Sequence, residues 1–304
     1  MSICSVCFHH CDLQEGQTGL CLARTCRGGA VVPANYGLLT SLALDPIEKK
    51  PLRRFHPGAR ILSVGSYGCN LRCPFCQNHE ISWSKEAEGI AQSAVKVYGR
   101  SGSAEGFGDR DDLARMVREV SPEELAALAA KLQPEGNIGV AYTYNEPLTG
   151  YEYVRDCGKL VHELGMKNVL VTNGTAEPAV CEELLPYIDA MNIDLKGFTD
   201  RFYSMVGGSL SMTKDFIETA VSGGCHVELT CLVIPGENDS EEEMEEMSAW
   251  IASLDGGKGE IPLHISRFFP AFHMTDRPAT EVARVYRLAD VARRKLKDVY
   301  TGNC

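Results

Sequence analysis

Three thiols on one short stretch, Cys69-Asn70-Leu71-Arg72-Cys73-Pro74-Phe75-Cys76, are the residues whose type and spacing speak most directly of chemistry. Spaced by three residues and then two, they can wrap one cluster corner by corner. A four-iron four-sulfur cluster normally takes four cysteines, so a triplet leaves one iron open to a small molecule. Two other readings compete: a zinc site completed by His79, and three unrelated thiols. A second group, Cys4, Cys7, Cys11 and Cys21 with His9 and His10 between, also has the density of a metal site. Zinc and a second iron–sulfur cluster both suit four thiolates, and the spacing alone does not separate them. Gly16 and Gly19 before Cys21 resemble the tight turn of a zinc knuckle, and a third reading is that these thiols bind nothing. The two groups share no ligand, so the triplet is expected to assemble its cluster without the amino-terminal cysteines.

The cysteines need such an explanation because there are 13 of them in 304 residues. The start, MSICSVCFHHCDLQEG, has neither the basic nor the apolar region of a signal peptide, and no run of eighteen apolar residues occurs. A cytoplasmic protein is expected, with no membrane partner, and reducing compartments do not sustain a disulfide framework. With 30 basic against 41 acidic residues the net charge is −11, which argues against nucleic-acid binding through phosphates. A hydrophobic content of 44% excludes disorder as the main theme. Cys157, Cys181, Cys225 and Cys231 fall at apolar positions and read as buried, unreactive thiols; Cys304 ends the chain.

The elements that must position these residues are legible as alternating strands and helices. Strands are predicted at about 60–65, 138–143, 168–172, 190–195, 226–233 and 261–267. Helices are signalled by the capping box at Ser121-Pro122-Glu123-Glu124, by 151–164 ending at Gly165, by Ser240, and by 280–297. This is an α/β pattern, and six parallel units predict a partial (β/α)6 TIM-like barrel. Asn192, Asp194 and Lys196 alternate with Met191, Ile193 and Leu195. Glu228 and Thr230 oppose Val227 and Leu229, and His264 and Ser266 oppose Leu263 and Ile265. Apolar faces meet helices, so the polar faces are expected to line a wet, ligand-filled lumen. Residues 1–58 lack the alternation and are read as a small Cys-rich appendage to a barrel over 59–304. The stretch 85–120, with YGRSGSAEGFGDRDD, reads as a flexible surface excursion.

The triplet follows the first predicted strand, at the end where barrel enzymes place their chemistry. CxxxCxxC with aromatic Phe75 before the third cysteine resembles the radical SAM superfamily signature. Together with DPIEKKPLRRFHPG, AYTYNEP, VTNG, NIDLKGF, LVIPGEND and HISRFFP, it is similar to the AmmeMemoRadiSam-system radical SAM enzymes, relatives of the pyruvate formate-lyase activating enzymes. The resemblance implies a partial barrel whose Cys69, Cys73 and Cys76 ligate a [4Fe-4S] cluster. Its open iron would bind S-adenosylmethionine (SAM), which is reductively cleaved to a 5′-deoxyadenosyl radical that abstracts hydrogen. It further implies cofactor contacts at Phe75, Tyr144, Asn145, Glu146, Thr172, Asn173, Asn192, Asp194, Lys196 and Ile234. Glu146 would accept from the methionyl ammonium, and Val233 and Pro235 would flank adenine beside Ile234. Val171 stands where activating enzymes carry an acid near a monovalent cation. The resemblance to relatives with further cysteines beyond Gly302-Asn303 leaves open whether the terminus at Cys304 is truncated.

Taken singly, Glu-Pro reads as a helix start, Thr-Asn-Gly as a turn and Asp-Leu-Lys as a solvated strand end. All of them falling at the carboxyl ends of predicted parallel strands favours a site. The expected function is therefore a radical SAM oxidoreductase served by a reductant such as flavodoxin or ferredoxin. Its substrate would be a peptide, a protein or a small molecule, which His264, Arg267 or His273 could touch. Two alternatives stand beside this reading: an enzyme that activates a glycyl-radical partner, and a non-catalytic iron–sulfur electron carrier.

Overall fold

The computed structural model describes residues 1–83, 85–98 and 117–304. They form two compact units: Met1–Pro46 with Ala59–Asn70 and Asn78–Val169, and Ile47–Gly58 with Leu71–Gln77 and Leu170–Cys304. The chain thus passes from the first unit to the second within the cysteine loop.

In the first unit, short antiparallel pairs occupy the amino terminus: β1 (Ser2–Ile3) with β2 (Asp12–Leu13), and β3 (Arg24–Arg27) with β4 (Ala30–Pro33). β5 (Leu38–Leu39) pairs with β8 (Arg118–Glu119). β6 (Ser41–Pro46) runs antiparallel to β7 (Arg60–Gly65), and β9 (Asn137–Tyr142) lies parallel to β7. The helix Pro122–Lys131 begins with the expected capping box, in which the Glu124 N–H donates to Ser121 Oγ at 3.2 Å and the Ser121 N–H to Glu124 Oε2 at 2.8 Å. Such a cap stabilises a helix by about 1 kcal/mol. The stretch expected to be a surface excursion opens instead with a helix, Lys85–Tyr98, whose Ile90 and Ala91 pack with Tyr67 and Leu38. The Gly- and Ser-rich run at 99–116 lies outside the described residues.

β10 (Lys167–Thr172) carries the chain into the second unit, where β11 (Ala190–Asp194), β12 (His226–Val233), β13 (Leu263–Arg267) and β14 (Val299–Gly302) pair in parallel in that order. Each predicted strand is present to within two residues. β14 adds a parallel strand too short to signal itself, and its Val299 alone is buried. The helices Pro178–Leu184, Asp200–Val206 and Leu210–Ser222 were not foreseen. The last helix is shorter than expected, Val282–Ala292. Ile193, Leu229 and Ile265 are fully buried, as are Phe216 and Leu288 on the helices. Each such side chain contributes about 1.5–3 kcal/mol.

The polar face of these strands differs from the expected wet lumen. Along Asn192, Glu228 and His264 it is covered by the chain's own segment 47–58, which carries the DPIEKKPLRRFHPG motif from Ile47 onward. Asn192 Nδ2 donates to the Pro51 carbonyl at 2.8 Å, and its Oδ1 accepts from Thr230 at 2.9 Å. Glu228, fully buried, accepts from the backbone N–H groups of Arg53 (2.9 Å) and Arg54 (2.7 Å). It also meets His226 Nε2 at 3.0 Å and His264 Nε2 at 2.6 Å. Burial alone would raise the Glu228 carboxyl, but these four hydrogen bonds overcome it and hold the group at about 2.

The stability tied to this carboxylate is complete above the ordinary value of 4.5 and is lost as pH falls toward about 2. Glu228→Gln turns an amide N–H toward groups that donate, and should cost about 3–5 kcal/mol at neutral pH. Urea unfolding at pH 7 and pH 3 should find the deficit of the variant smaller at pH 3; equal deficits would detach Glu228 from acid unfolding.

Candidate functional site

The loop after β7 is irregular, so its backbone groups need partners outside any ladder. In the first unit Asn145 supplies three: its Oδ1 accepts from the Ser66 N–H at 2.9 Å, and its Nδ2 donates to the carbonyls of Tyr67 (3.2 Å) and Gly68 (3.1 Å). The Glu146 N–H donates to the same Gly68 carbonyl. Gly68 has φ +91°, and a Cβ there would lie 2.6 Å from the Cys21 carbonyl oxygen, so the loop backbone rests directly on the amino-terminal segment. The Cys69 N–H donates to that Cys21 carbonyl at 3.0 Å. The two cysteine groups are therefore in direct backbone contact through Cys21 and Cys69.

Tyr144 adopts φ +73°, a conformation that costs a non-glycine residue about 1–3 kcal/mol. It is held there from both ends. Asn78 Nδ2 donates to its carbonyl at 2.7 Å, and its hydroxyl donates to Asp45 Oδ2 at 3.0 Å. Burial, with Asp45 adding to it, pushes the Tyr144 hydroxyl up to about 12. Glu146 is 2% exposed; its Oε1 accepts from the Leu148 N–H at 3.0 Å and caps the turn Pro147–Gly150. Tyr144 and Asn145 therefore shape the loop, and Glu146 brings a buried carboxylate beside it. Asn78 and Asp45 were missed by sequence reasoning, although Asn78 lies two residues beyond the cysteine triplet and Asp45 opens the DPIEKKPLRRFHPG motif.

In the second unit the rest of the loop is pinned along its length. The Arg72 N–H donates to the Val206 carbonyl at 2.7 Å, and the His273 N–H to the Pro74 carbonyl at 2.8 Å. The Phe75 ring packs 6.3 Å from that of Phe202. Cys73 is buried, which pushes its thiol up to about 11, while nearby Lys196 pulls the other way. Lys196 Nζ donates to Asp194 Oδ2 at 2.7 Å. Cys73, Cys76, Asp194 and Lys196 thus form one electrostatic neighbourhood.

Thr172 and Asn173 bind their own turn, through Thr172 Oγ1 to the Gly174 N–H and Asn173 Oδ1 to the Thr175 N–H. The Ile234 N–H donates to Asn238 Oδ1 at 2.7 Å, and Asn238 in turn donates to the Lys196 carbonyl. Asn192 is bound to Pro51 and Thr230 as above. His264 is engaged by Glu228, and Arg267 donates to the Thr280 carbonyl. Burial raises the Cys181 and Cys225 thiols to about 12 and those of Cys157 and Cys231 further, as expected of inert thiols. Among the described residues no group of three or more His, Cys, Asp or Glu side chains converges on a single metal ion. Also among the described residues, no helix is long and apolar enough to cross a membrane.

Comparison with known proteins accords with this loop. The family description "Radical SAM superfamily" matches residues 63–248. An uncharacterized protein of Methanocaldococcus jannaschii is 34% identical over 301 residues, covering 99% of this chain and 80% of that protein. Among solved structures, Streptococcus suis SuiB superposes with a TM-score of 0.54 at 14% identity over 79% of this chain, which spans 48% of SuiB. A radical SAM methyltransferase from Sphaerobacter thermophilus superposes with a TM-score of 0.51 at 17% identity, over 81% of this chain and 67% of that one. These likenesses show the fold, the α/β partial barrel expected of the sequence. With the family description matched from within β7 into the helix Glu241–Ser253, the chain belongs to the radical SAM superfamily.

Proposed function

We propose that this chain is a radical SAM enzyme in which Cys69, Cys73 and Cys76 hold a [4Fe-4S] cluster and the carboxyl ends of the parallel strands hold SAM. The observation that supports this best is the fixing of the cysteine loop by backbone hydrogen bonds on both sides of its three thiols, with Lys196 and Asp194 beside Cys73. The donor set suits the group, since three thiolates leave one iron for a cofactor's amine and carboxylate. When bound, the reduced cluster supplies the electron that cleaves SAM to a hydrogen-abstracting 5′-deoxyadenosyl radical.

The protein binds, orients and excludes water. Lys196 offsets the negative charge that three thiolates bring into a buried loop. Glu146 takes the methionyl ammonium, a strong pair at a site removed from water. Thr172, Asn173 and Asp194 offer polar atoms to the ribose and carboxylate, and Ile234 an apolar surface to adenine. Phe75 and Tyr144 shape the pocket, while Asn145 secures the loop. Asn192, also among the cofactor contacts that the family resemblance implies, is bound to Pro51 and Thr230. A carrier that only shuttles electrons has no use for a buried carboxylate beside its cluster loop. SuiB has been solved with the precursor peptide SuiA, which makes a peptidyl substrate the first class to test. A glycyl residue of a partner enzyme falls within that class. Flavodoxin or ferredoxin would supply the electron, in the cytoplasm.

Replacing any one of Cys69, Cys73 or Cys76 by Ala should abolish SAM cleavage and lower the iron bound at this loop, since no neighbouring thiol has the reach to substitute. Anaerobic iron counting with 5′-deoxyadenosine assay decides it, and full iron with full cleavage in any single variant would refute the assignment.

Glu146→Gln keeps an acceptor for the Leu148 N–H but removes the charge. Affinity for SAM should fall by about 2–5 kcal/mol with the cluster intact. Cleavage should also slow at saturating SAM, through misalignment. Anaerobic equilibrium binding measures it; unchanged affinity with unchanged cleavage would leave Glu146 a helix cap and nothing more.

A further inference from the structure

Cys4, Cys7, Cys11 and Cys21 are brought together in the first unit around a small enclosed cavity, which His9 and Arg24 also line. Cys4, Cys7 and Cys21 are each less than a tenth exposed, and no disulfide joins any of the four. We propose that these four cysteines hold a second iron–sulfur cluster, a [4Fe-4S] centre with all its irons ligated by thiolates, packed against the Cys69 end of the radical cluster loop. The inference goes beyond the proposed function and does not depend on it.

Three observations carry it. The first is the surroundings of the sulfurs. Cys7 Sγ accepts from the His9 backbone N–H and the Asn70 side chain, and Cys21 Sγ from the backbone N–H groups of Ala23 and Arg24. Donors two and three residues on from a cysteine stabilise a thiolate.

The second is Arg24. It is 5% exposed and lines the cavity; one end of its guanidinium is tied to Glu152 at 2.7 Å, yet its Nε has no hydrogen-bond partner. A buried orphan donor costs about 1–3 kcal/mol, and a cluster sulfide or thiolate sulfur would accept from it.

The third is the spread of the sulfurs, which favours a cluster over zinc. Among the described residues no three or more His, Cys, Asp or Glu side chains, these cysteines included, come close enough together to hold a single metal ion. A zinc ion needs all four sulfurs at about 2.3 Å. A cube reaches thiolates that stand further back, because its irons project toward them from the corners.

Contacts link this centre to the other loop: Cys21 accepts the Cys69 N–H, Asn70 reaches Cys7 Sγ, and His9 Nε2 lies 2.9 Å from the Asn70 carbonyl oxygen. The test uses the full chain reconstituted anaerobically with ferrous iron and sulfide. In the variant with Cys69, Cys73 and Cys76 all changed to Ala, the amino-terminal site is untouched. It should hold about four iron and four sulfide per chain, with a reduced [4Fe-4S] EPR signal that SAM does not alter. The double variant Cys7→Ala, Cys21→Ala should lose about half the wild-type iron, with circular dichroism reporting its folding. No iron, or one zinc per chain, in the triple variant would overturn the proposal, as would wild-type iron in a folded double variant. A signal in the triple variant with none in the double variant would uphold the second centre while removing the radical cluster, so the two assignments fail separately.

Discussion

An irregular loop that must present three thiols has no ladder to satisfy its backbone, and the structure meets that demand with side chains and chain ends brought from elsewhere. Asn145 alone serves three backbone groups of Ser66, Tyr67 and Gly68. Each such group left buried and unpaired would cost about 1–3 kcal/mol. The strained Tyr144 is explained by the same need, since its left-handed turn brings Asn145 and Glu146 back toward Gly68. What reads in sequence as a cofactor motif is first of all a device for holding a loop still. Rigid presentation is what a site needs when its chemistry belongs to the bound group.

Burial and charge pull against each other at every cysteine of interest. Cys73, Cys7 and Cys21 are all held toward the protonated form by desolvation, yet each has a counterweight: Lys196 beside Cys73, amide N–H groups around Cys7 and Cys21. Such counterweights are not confined to these three: Lys196 also opposes burial at Cys231 and a hydrogen bond from Tyr153 does so at Cys157, whereas Cys181 has only burial and Glu182, both against ionisation.

The segment 47–58 works by the same logic in the second unit. Strand faces carrying Asn192, Glu228 and His264 would be costly to bury bare, and the segment brings backbone donors and acceptors to them. A carboxylate with no exposure is kept ionised by two amides and two imidazoles. The DPIEKKPLRRFHPG motif is thereby accounted for by what its backbone does, more than by its charged side chains.

The sequence by itself determined six of the parallel strands, several helix starts and the spacing of the loop's thiols. Period-two alternation in 190–195 and 226–233, the Ser121 capping box and the CxxxCxxC spacing are local signals, and they set strands, helix starts and ligand reach without reference to the rest of the chain. Tertiary structure decided the partners. Whether Asn192 faces a ligand or Pro51, whether His264 meets substrate or Glu228, and whether Cys21 stands apart from Cys69 or touches it all depend on residues distant in sequence. Polarity says that a side chain needs a partner; only the folded backbone says which one is within 3 Å. The helix at Lys85–Tyr98 was missed for a related reason, since Gly89 and the polar residues around it mask a pattern that only packing of Ile90 and Ala91 on Tyr67 stabilises.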